Sequence, residues 1–213
     1  MKRRLALLLA LMLLALCTGC GGKTDDSNSD SQTLAQNTEN TGQPENDTSS
    51  DENNGDGEER VSAFPDLHIF AAETADGAAF TQDDLAGYDL TIINLWATFC
   101  GPCINEMPEL AALEKALPDN VRLITLCLDA GTQADEMRSI LDGSGFTGVT
   151  LVASDGDLAE VMAQTMYVPT TVFVDGQGNM VLQELIGSPE NVEETYRAMI
   201  NDALTRLGKE ALA

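Results

Sequence analysis

The strongest constraint on this chain is a junction near its middle. An apolar run, Leu90–Trp96, passes through Ala97-Thr98-Phe99 into Cys100-Gly101-Pro102-Cys103, and a segment with helical patterning comes next. The run is apolar on both faces except at Asn94, as a buried parallel strand requires. A strand that delivers two thiols, three residues apart, onto a first helical turn can close a small disulfide. The positive end of the helix also favours a thiolate on the first thiol.

Around this junction the chain predicts alternating elements. Phe64–Phe70 reads as a short edge strand after a proline turn, Asp76-Gly77 as a turn, and Thr81–Leu85 as a capped helical turn. Past the cysteines, Leu110, Leu113 and Leu117 mark one helix face, with Pro108 expected to kink it. Val121–Leu128 is a second buried strand, Asp135–Leu141 a helix stopped at Gly143, Val149–Val152 a strand and Asp155–Met166 a helix. Thr170–Val174 is a β-branched strand that turns through Asp175–Gly178 into a hairpin partner, Asn179–Leu185. Pro189–Leu207, capped by Ser188, closes the order as a long helix. Alternation first, then a hairpin and a helix, predicts an α/β fold with a mixed central sheet flanked by helices.

The other end of the chain sets the compartment. Lys2-Arg3-Arg4 precedes twelve apolar residues, Leu5–Leu16, short of the about 20 that span a bilayer. Cys17-Thr18-Gly19-Cys20 comes directly after. This resembles a bacterial lipobox, with Cys17 where Leu is usual, and the resemblance implies that Cys20 is lipidated and becomes the mature N-terminus. An ordinary cleaved signal or an uncleaved anchor are the alternatives; all three place the remainder of the chain outside the cytoplasm. Residues 21–60 are polar and acidic without hydrophobic periodicity, so they read as a disordered tether, reaching roughly 35 Å as a coil. An acidic calcium tract would need repeated ligand spacing with a turn glycine, which the segment lacks. The folded domain is expected over 61–208, with 209–213 as a C-terminal tail. A net charge of −24 disfavours nucleic acid and anionic membrane as electrostatic partners.

In an exported protein a cysteine pair is usually a structural bridge. A bridge spanning two residues restrains the unfolded chain little, which favours a redox role for Cys100 and Cys103. Metal is poorly supplied: Cys127 is the only other thiol in the domain and His68 the only histidine. Cys127, between Leu126 and Leu128, reads as a small buried hydrophobe.

Four spaced motifs now carry a family resemblance: Trp96-Ala97-Thr98-Phe99-Cys100-Gly101-Pro102-Cys103, Glu106-Met107-Pro108, Val168-Pro169-Thr170-Thr171, and Asp175–Gly178. Together they resemble the thioredoxin fold, most closely its extracytoplasmic TlpA/ResA-like thiol-disulfide oxidoreductases, over roughly residues 61–208. The resemblance implies an exposed attacking thiolate at Cys100 and a resolving thiol at Cys103, in a loop formed with Trp96, Phe99, Gly101 and Pro102. It makes Pro169 a cis-proline that, with Val168 and Thr170, docks substrate backbone; an ordinary trans loop proline is the alternative. It makes Glu106 the carboxyl that tunes the thiols and moves their protons, against a surface glutamate capping the first turns. Asn94 stands where thioredoxins proper carry a buried Asp, which would shift proton handling onto Glu106. Phe99 replaces a common Trp and would keep an aromatic floor without its N–H.

The function expected is a lipid-anchored oxidoreductase on the extracytoplasmic face of a bacterial membrane. It would reduce disulfides in extracytoplasmic proteins, take electrons from a membrane thiol carrier, and need no cofactor or metal. Gly-Pro between the cysteines resembles reducing members of the fold. A peroxiredoxin, which needs Pro-x-x-x-Thr-x-x-Cys, has Ile93 and Ala97 at those positions instead. A non-catalytic surface lipoprotein using the fold as a binding scaffold is the remaining alternative.

Overall fold

A computed structural model describes residues 61–212; the export segment, Cys20 and the acidic tether lie outside the described residues. Seven strands form one mixed sheet: β1 (Ala71–Thr74), β2 (Ala79–Thr81), β3 (Leu90–Trp96), β4 (Val121–Cys127), β5 (Thr150–Ser154), β6 (Thr170–Asp175) and β7 (Leu185–Ile186). Their order across the sheet is β2-β1-β5-β4-β3-β6-β7. β3 runs parallel to β4 and antiparallel to β6, so the strand that ends at the cysteines is central. Four helices accompany it: α1 (Gly101–Ala116), α2 (Ala130–Ser144), α3 (Gly156–Gln164) and α4 (Val192–Arg206).

The two-residue period of a strand decides which face each side chain serves. Leu90, Ile92 and Trp96 of β3 join Phe173 of β6 and the buried residues of α1, α2 and α4 in one core. Ile93 and Leu95 join Val172, Val174 and α3 in the other, covered also by Phe64, Leu67 and Phe70. Asn94 therefore points, with Ile92 and Trp96, towards α1 and α4.

Several elements differ from the sequence expectation. Residues 64–70 are not a strand: Phe64, Leu67 and Phe70 are buried at every third position, a spacing a pleated strand cannot present to one face. The backbone there is held by side chains and a loop instead. Ile69 N–H donates to Asp157, Ala71 N–H to Asp155, Phe70 N–H to Gln82 and Leu67 N–H to the Gly178 carbonyl. His68 thus lies on no strand, and its Nε2 is 3.1 Å from Asn179 Oδ1. The edge is a hairpin, β1–β2, across Asp76-Gly77. α2 runs past Gly143 and ends where Gly145 takes a left-handed φ of 72°. α1 continues unbroken through Pro108, which forfeits one backbone hydrogen bond. The expected hairpin partner of β6 is reduced to a bridge at Met180 and the short β7. α4 starts at Val192, with Asn191 rather than Ser188 at its cap position.

Gly178 is where this arrangement tolerates no side chain. Its φ is +90°, and a Cβ would stand 2.3 Å from the Leu67 carbonyl oxygen. Gly178→Ala should lose about 1–3 kcal/mol in urea unfolding; an unchanged midpoint would show that the N-terminal segment does not bear on stability.

Candidate active site

The site is built where β3 gives way to α1. Cys100 is the N-cap residue of α1, and its Sγ accepts the Cys103 N–H at 3.2 Å. Pro102, in the first turn, lacks an N–H that would go unpaired there anyway. That turn carries no acidic residue, so nothing offsets the positive helix end beside the sulfur. Cys100 and Cys103 are disulfide-bonded, with Cα atoms 5.3 Å apart. Gly101 is exposed and has open space where a Cβ would be.

Cys100 is 6% exposed rather than the open residue the resemblance implied. Its Sγ lies 3.5 Å from the Val168 carbonyl oxygen, so the preceding turn lies over the oxidised pair. The Val168–Pro169 peptide is cis. No hydrogen bond among the described residues engages the Val168 N–H, and an oxidised Cys100 has no proton to give its carbonyl. Thr170 begins β6 opposite Ile186, and Gly187 N–H donates to the Pro169 carbonyl.

Phe99 is not a floor. It is 80% exposed, as is Met166, and Tyr167 is 69% and Ile186 57% exposed. These exposed side chains neighbour Cys100, Val168 and Thr170 in sequence or in strand register. Trp96, fully buried, shares the core cluster of Cys100 and Cys103.

The loop between β3 and the cysteines is clamped by Asp129, just past the end of β4. Thr98 N–H and the Thr98 hydroxyl both donate to it, the latter at 2.6 Å. Burial alone would raise the Asp129 pKa, but Thr98 and the Cys127 thiol together hold it below the ordinary value. Cys127, fully buried, donates to Asp129 at 3.2 Å; burial first, then that carboxylate, pushes its pKa up to about 12. Thiolate chemistry there is suppressed.

Glu106 takes an inward position on α1 with Cys103, Met107 and Leu110 and is 2% exposed. The surface-cap alternative is therefore excluded. Burial pushes its pKa up, against opposing pulls from Ser188 and Asn94. Asn94 Nδ2 donates to Glu106 Oε1 at 3.1 Å and stands at the same distance from Thr171 Oγ1 and Tyr196 Oη. Thr171 and Tyr196 are bonded to each other at 2.7 Å. Sequence reasoning missed Tyr196 and the Thr98–Asp129 clamp. Tyr196 carries a signal: it interrupts the apolar stripe Val192, Ile200, Leu204 of α4 with a hydroxyl that meets Asn94, the polar residue on the face of β3 turned to that helix. Among the described residues no cluster of His, Cys, Asp and Glu could hold a metal ion.

Residues 60–200 match the Redoxin family. Thioredoxin-like protein YneN of Bacillus subtilis (strain 168) is 27% identical over 117 residues, 54% of this chain and 66% of that protein. Thiol:disulfide interchange protein HelX of Rhodobacter capsulatus is 28% identical over 104 residues, 49% of this chain and 56% of that protein. The chain thus spans between half and two thirds of these relatives' length. The structure of MTB dsbF in its mixed oxidized and reduced forms shares 25% identity and a TM-score of 0.52, covering 68% of this chain and 98% of that one. The fold is thioredoxin-like.

A carboxyl whose folded pKa is raised above its ordinary 4.5 contributes stability that is present below that value and is lost as pH rises through the folded pKa. Glu106→Gln cannot ionise and escapes the loss. Urea unfolding should find the variant more stable than the parent at neutral pH, with the advantage shrinking as pH falls through the raised folded pKa and gone below 4.5. A parent that is the more stable at neutral pH would contradict the burial argument.

Proposed function

We propose that this chain, which belongs to the Redoxin family, is a protein-disulfide oxidoreductase that cycles Cys100 and Cys103 between dithiol and disulfide. The observation that carries the reading is the Cys100–Cys103 disulfide at the start of α1, facing the turn at Val168–Pro169. The helix start biases the first sulfur of such a pair towards thiolate.

In the reducing direction, the Cys100 thiolate attacks one sulfur of a substrate disulfide, forms a mixed disulfide and expels the other sulfur as a thiolate, which is protonated. Cys103 gives its proton to the Glu106 carboxylate and attacks Cys100 Sγ. The substrate's remaining sulfur leaves as a thiolate and takes up a proton, and Cys100–Cys103 is left oxidised. Two electrons pass to the substrate and two thiols are released. An external dithiol, read here as a membrane thiol carrier, restores the reduced pair. Glu106 suits the proton role because burial raises its pKa, which favours uptake of a proton by the carboxylate. Gly101-Pro102 between the cysteines favours the reducing direction, since no histidine is there to stabilise the reduced thiolate.

The open N–H and carbonyl of Val168 suit an extended substrate segment added as a strand. The exposed apolar side chains of Phe99, Met166, Tyr167 and Ile186 suit a protein substrate rather than a small thiol. The export segment and Cys20 support a lipid anchor at the extracytoplasmic face, with residues 21–60 as tether. A peroxiredoxin reading is disfavoured because Ile93 and Ala97, both buried, cannot supply the proline and threonine that chemistry requires.

Cys100→Ser should reduce insulin disulfides only at the uncatalysed rate, while Cys103→Ser should accumulate a mixed disulfide with its partner on non-reducing gels. Normal turnover by both variants rejects the mechanism. For the anchor, labelled palmitate should enter the membrane-bound chain in the host and be lost in Cys20→Ser; label retained by that variant rejects lipidation at Cys20.

A further inference from the structure

The buried polar group around Glu106 does not balance as a static set of hydrogen bonds. Asn94 Nδ2 carries two hydrogens yet faces three acceptors, Glu106 Oε1, Thr171 Oγ1 and Tyr196 Oη, each at 3.1 Å. Two buried oxygens of the same group, Asn94 Oδ1 and Glu106 Oε2, have no hydrogen-bond partner. A buried acceptor left unpaired is costly, so a group with one overcommitted donor and two idle acceptors is expected to have a second arrangement.

The chemistry of the carboxyl supplies one. An ionised Glu106 only accepts, and the Asn94 NH2 is the right end of the amide to face it. A protonated Glu106 must donate through its O–H, and an NH2 cannot accept. The two ends of an amide are nearly equal in shape. A half-turn about the Asn94 Cβ–Cγ bond therefore brings Oδ1 to the point shared by the carboxyl, Thr171 and Tyr196. There it can accept from the acid and from a hydroxyl. Strand register keeps Asn94 and Thr171 directly opposite each other, and Tyr196 is 1% exposed, so the pivot is held while the amide turns.

We infer that Asn94, braced by Thr171 and Tyr196, is a positioning residue for the proton on Glu106, presenting its NH2 to the carboxylate and its carbonyl to the carboxylic acid. This rests on the reading of Glu106 as proton carrier for the thiols, and it explains why an amide rather than a second acid suits position 94. An Asp there would add a competing charge. An amide serves both states of one proton without titrating.

The other groups bearing on Glu106 are Glu109 on α1, Ser188 in the turn before α4, and the Tyr196 phenol, whose pKa is driven up by burial and then by the Glu106 charge. None of these is a cation. With no fixed positive charge to hold the carboxylate, the bonds from Ser188 and Asn94 are what oppose burial in its titration.

The test tracks the Glu106 carboxyl carbon by NMR across a pH titration of the reduced chain. Asn94→Leu removes both ends of the amide and leaves Thr171 and Tyr196 bonded to each other; because the charge-assisted bond to the carboxylate outweighs the bond to the acid, the midpoint should rise by about one unit. Tyr196→Phe has the opposite effect. It leaves one amide hydrogen each for Glu106 and Thr171, and it takes a donor from the turned carbonyl, so the midpoint should fall. Near-UV circular dichroism checks that both variants keep the fold. In the parent chain, nuclear Overhauser contacts from the Asn94 amide protons to the Tyr196 ring should be present above the midpoint and absent below it. Opposite shifts together with that loss sustain the inference. An unmoved midpoint in Asn94→Leu, shifts of the same sign, or amide contacts that persist at low pH overturn it. None of these readouts depends on insulin reduction, so failure of the oxidoreductase reading would be seen separately.

Discussion

The interaction on which the reactive end depends is the hydrogen bond from the Cys103 N–H to Cys100 Sγ. It makes the first cysteine the cap of the helix that carries the second, so redox chemistry and helix initiation share one contact. An N-cap acceptor satisfies an otherwise unpaired amide; when that acceptor is sulfur, the same amide and the helix dipole stabilise it as a thiolate. The contact forms only if β3 ends where it does. Trp96 is fixed by the Leu128 N–H on its carbonyl, Thr98 by Asp129, and the Ala97 carbonyl accepts the Cys100 N–H. Trp96 and Thr98 are thereby tied to the two residues that follow β4 before the helix begins.

Behind the cysteines, β3 brings a polar residue into an otherwise apolar face. Asn94 bonds to side chains on α1, β6 and α4, the three elements that enclose the site from below. Leaving such a group unsatisfied in a low-dielectric interior costs more than each bond returns when made. The network therefore aligns those elements as much as it stabilises them. It also explains why the proposed proton carrier and the phenol that meets its partner come from distant parts of the chain.

Much of this was legible in the sequence because the signals were local. The cysteine pair at a strand end, the alternation of apolar strands with helices and the four motifs all concern neighbouring residues, and they led to the right fold. What was missed depended on distance or on competing partners. Residues 64–70 look like a strand, but their amides are taken by Asp157 and Gln82 from elsewhere in the chain, and Asp155 takes the next one. Ser188 has the composition of a helix cap, yet it lies before the cap position and acts on Glu106 instead. Phe99 was expected as a floor because of its chemistry, whereas its place just before the N-cap turns it outward. No spacing rule links Thr98 to Asp129.

The domain holds two thiol–carboxyl neighbourhoods, and their contrast bears on why only one suits redox work. At Cys127 the carboxylate of Asp129 is already occupied by Thr98, which keeps it ionised and unable to take a proton; the thiol beside it is buried, faces a negative charge and stays protonated. Near Cys103 the carboxyl of Glu106 is itself deeply buried, so its pKa rises towards a range where it can accept and return a proton. Residue types are nearly the same in the two places. What differs is which member of the pair the protein leaves short of hydrogen bonds: at Asp129 four contacts converge on the carboxylate, whereas Glu106 Oε2 has none. A carboxyl saturated with donors anchors a loop. A deeply buried carboxyl with one oxygen unpaired is suited to the proposed proton exchange, and the helix start then decides which sulfur would make use of it.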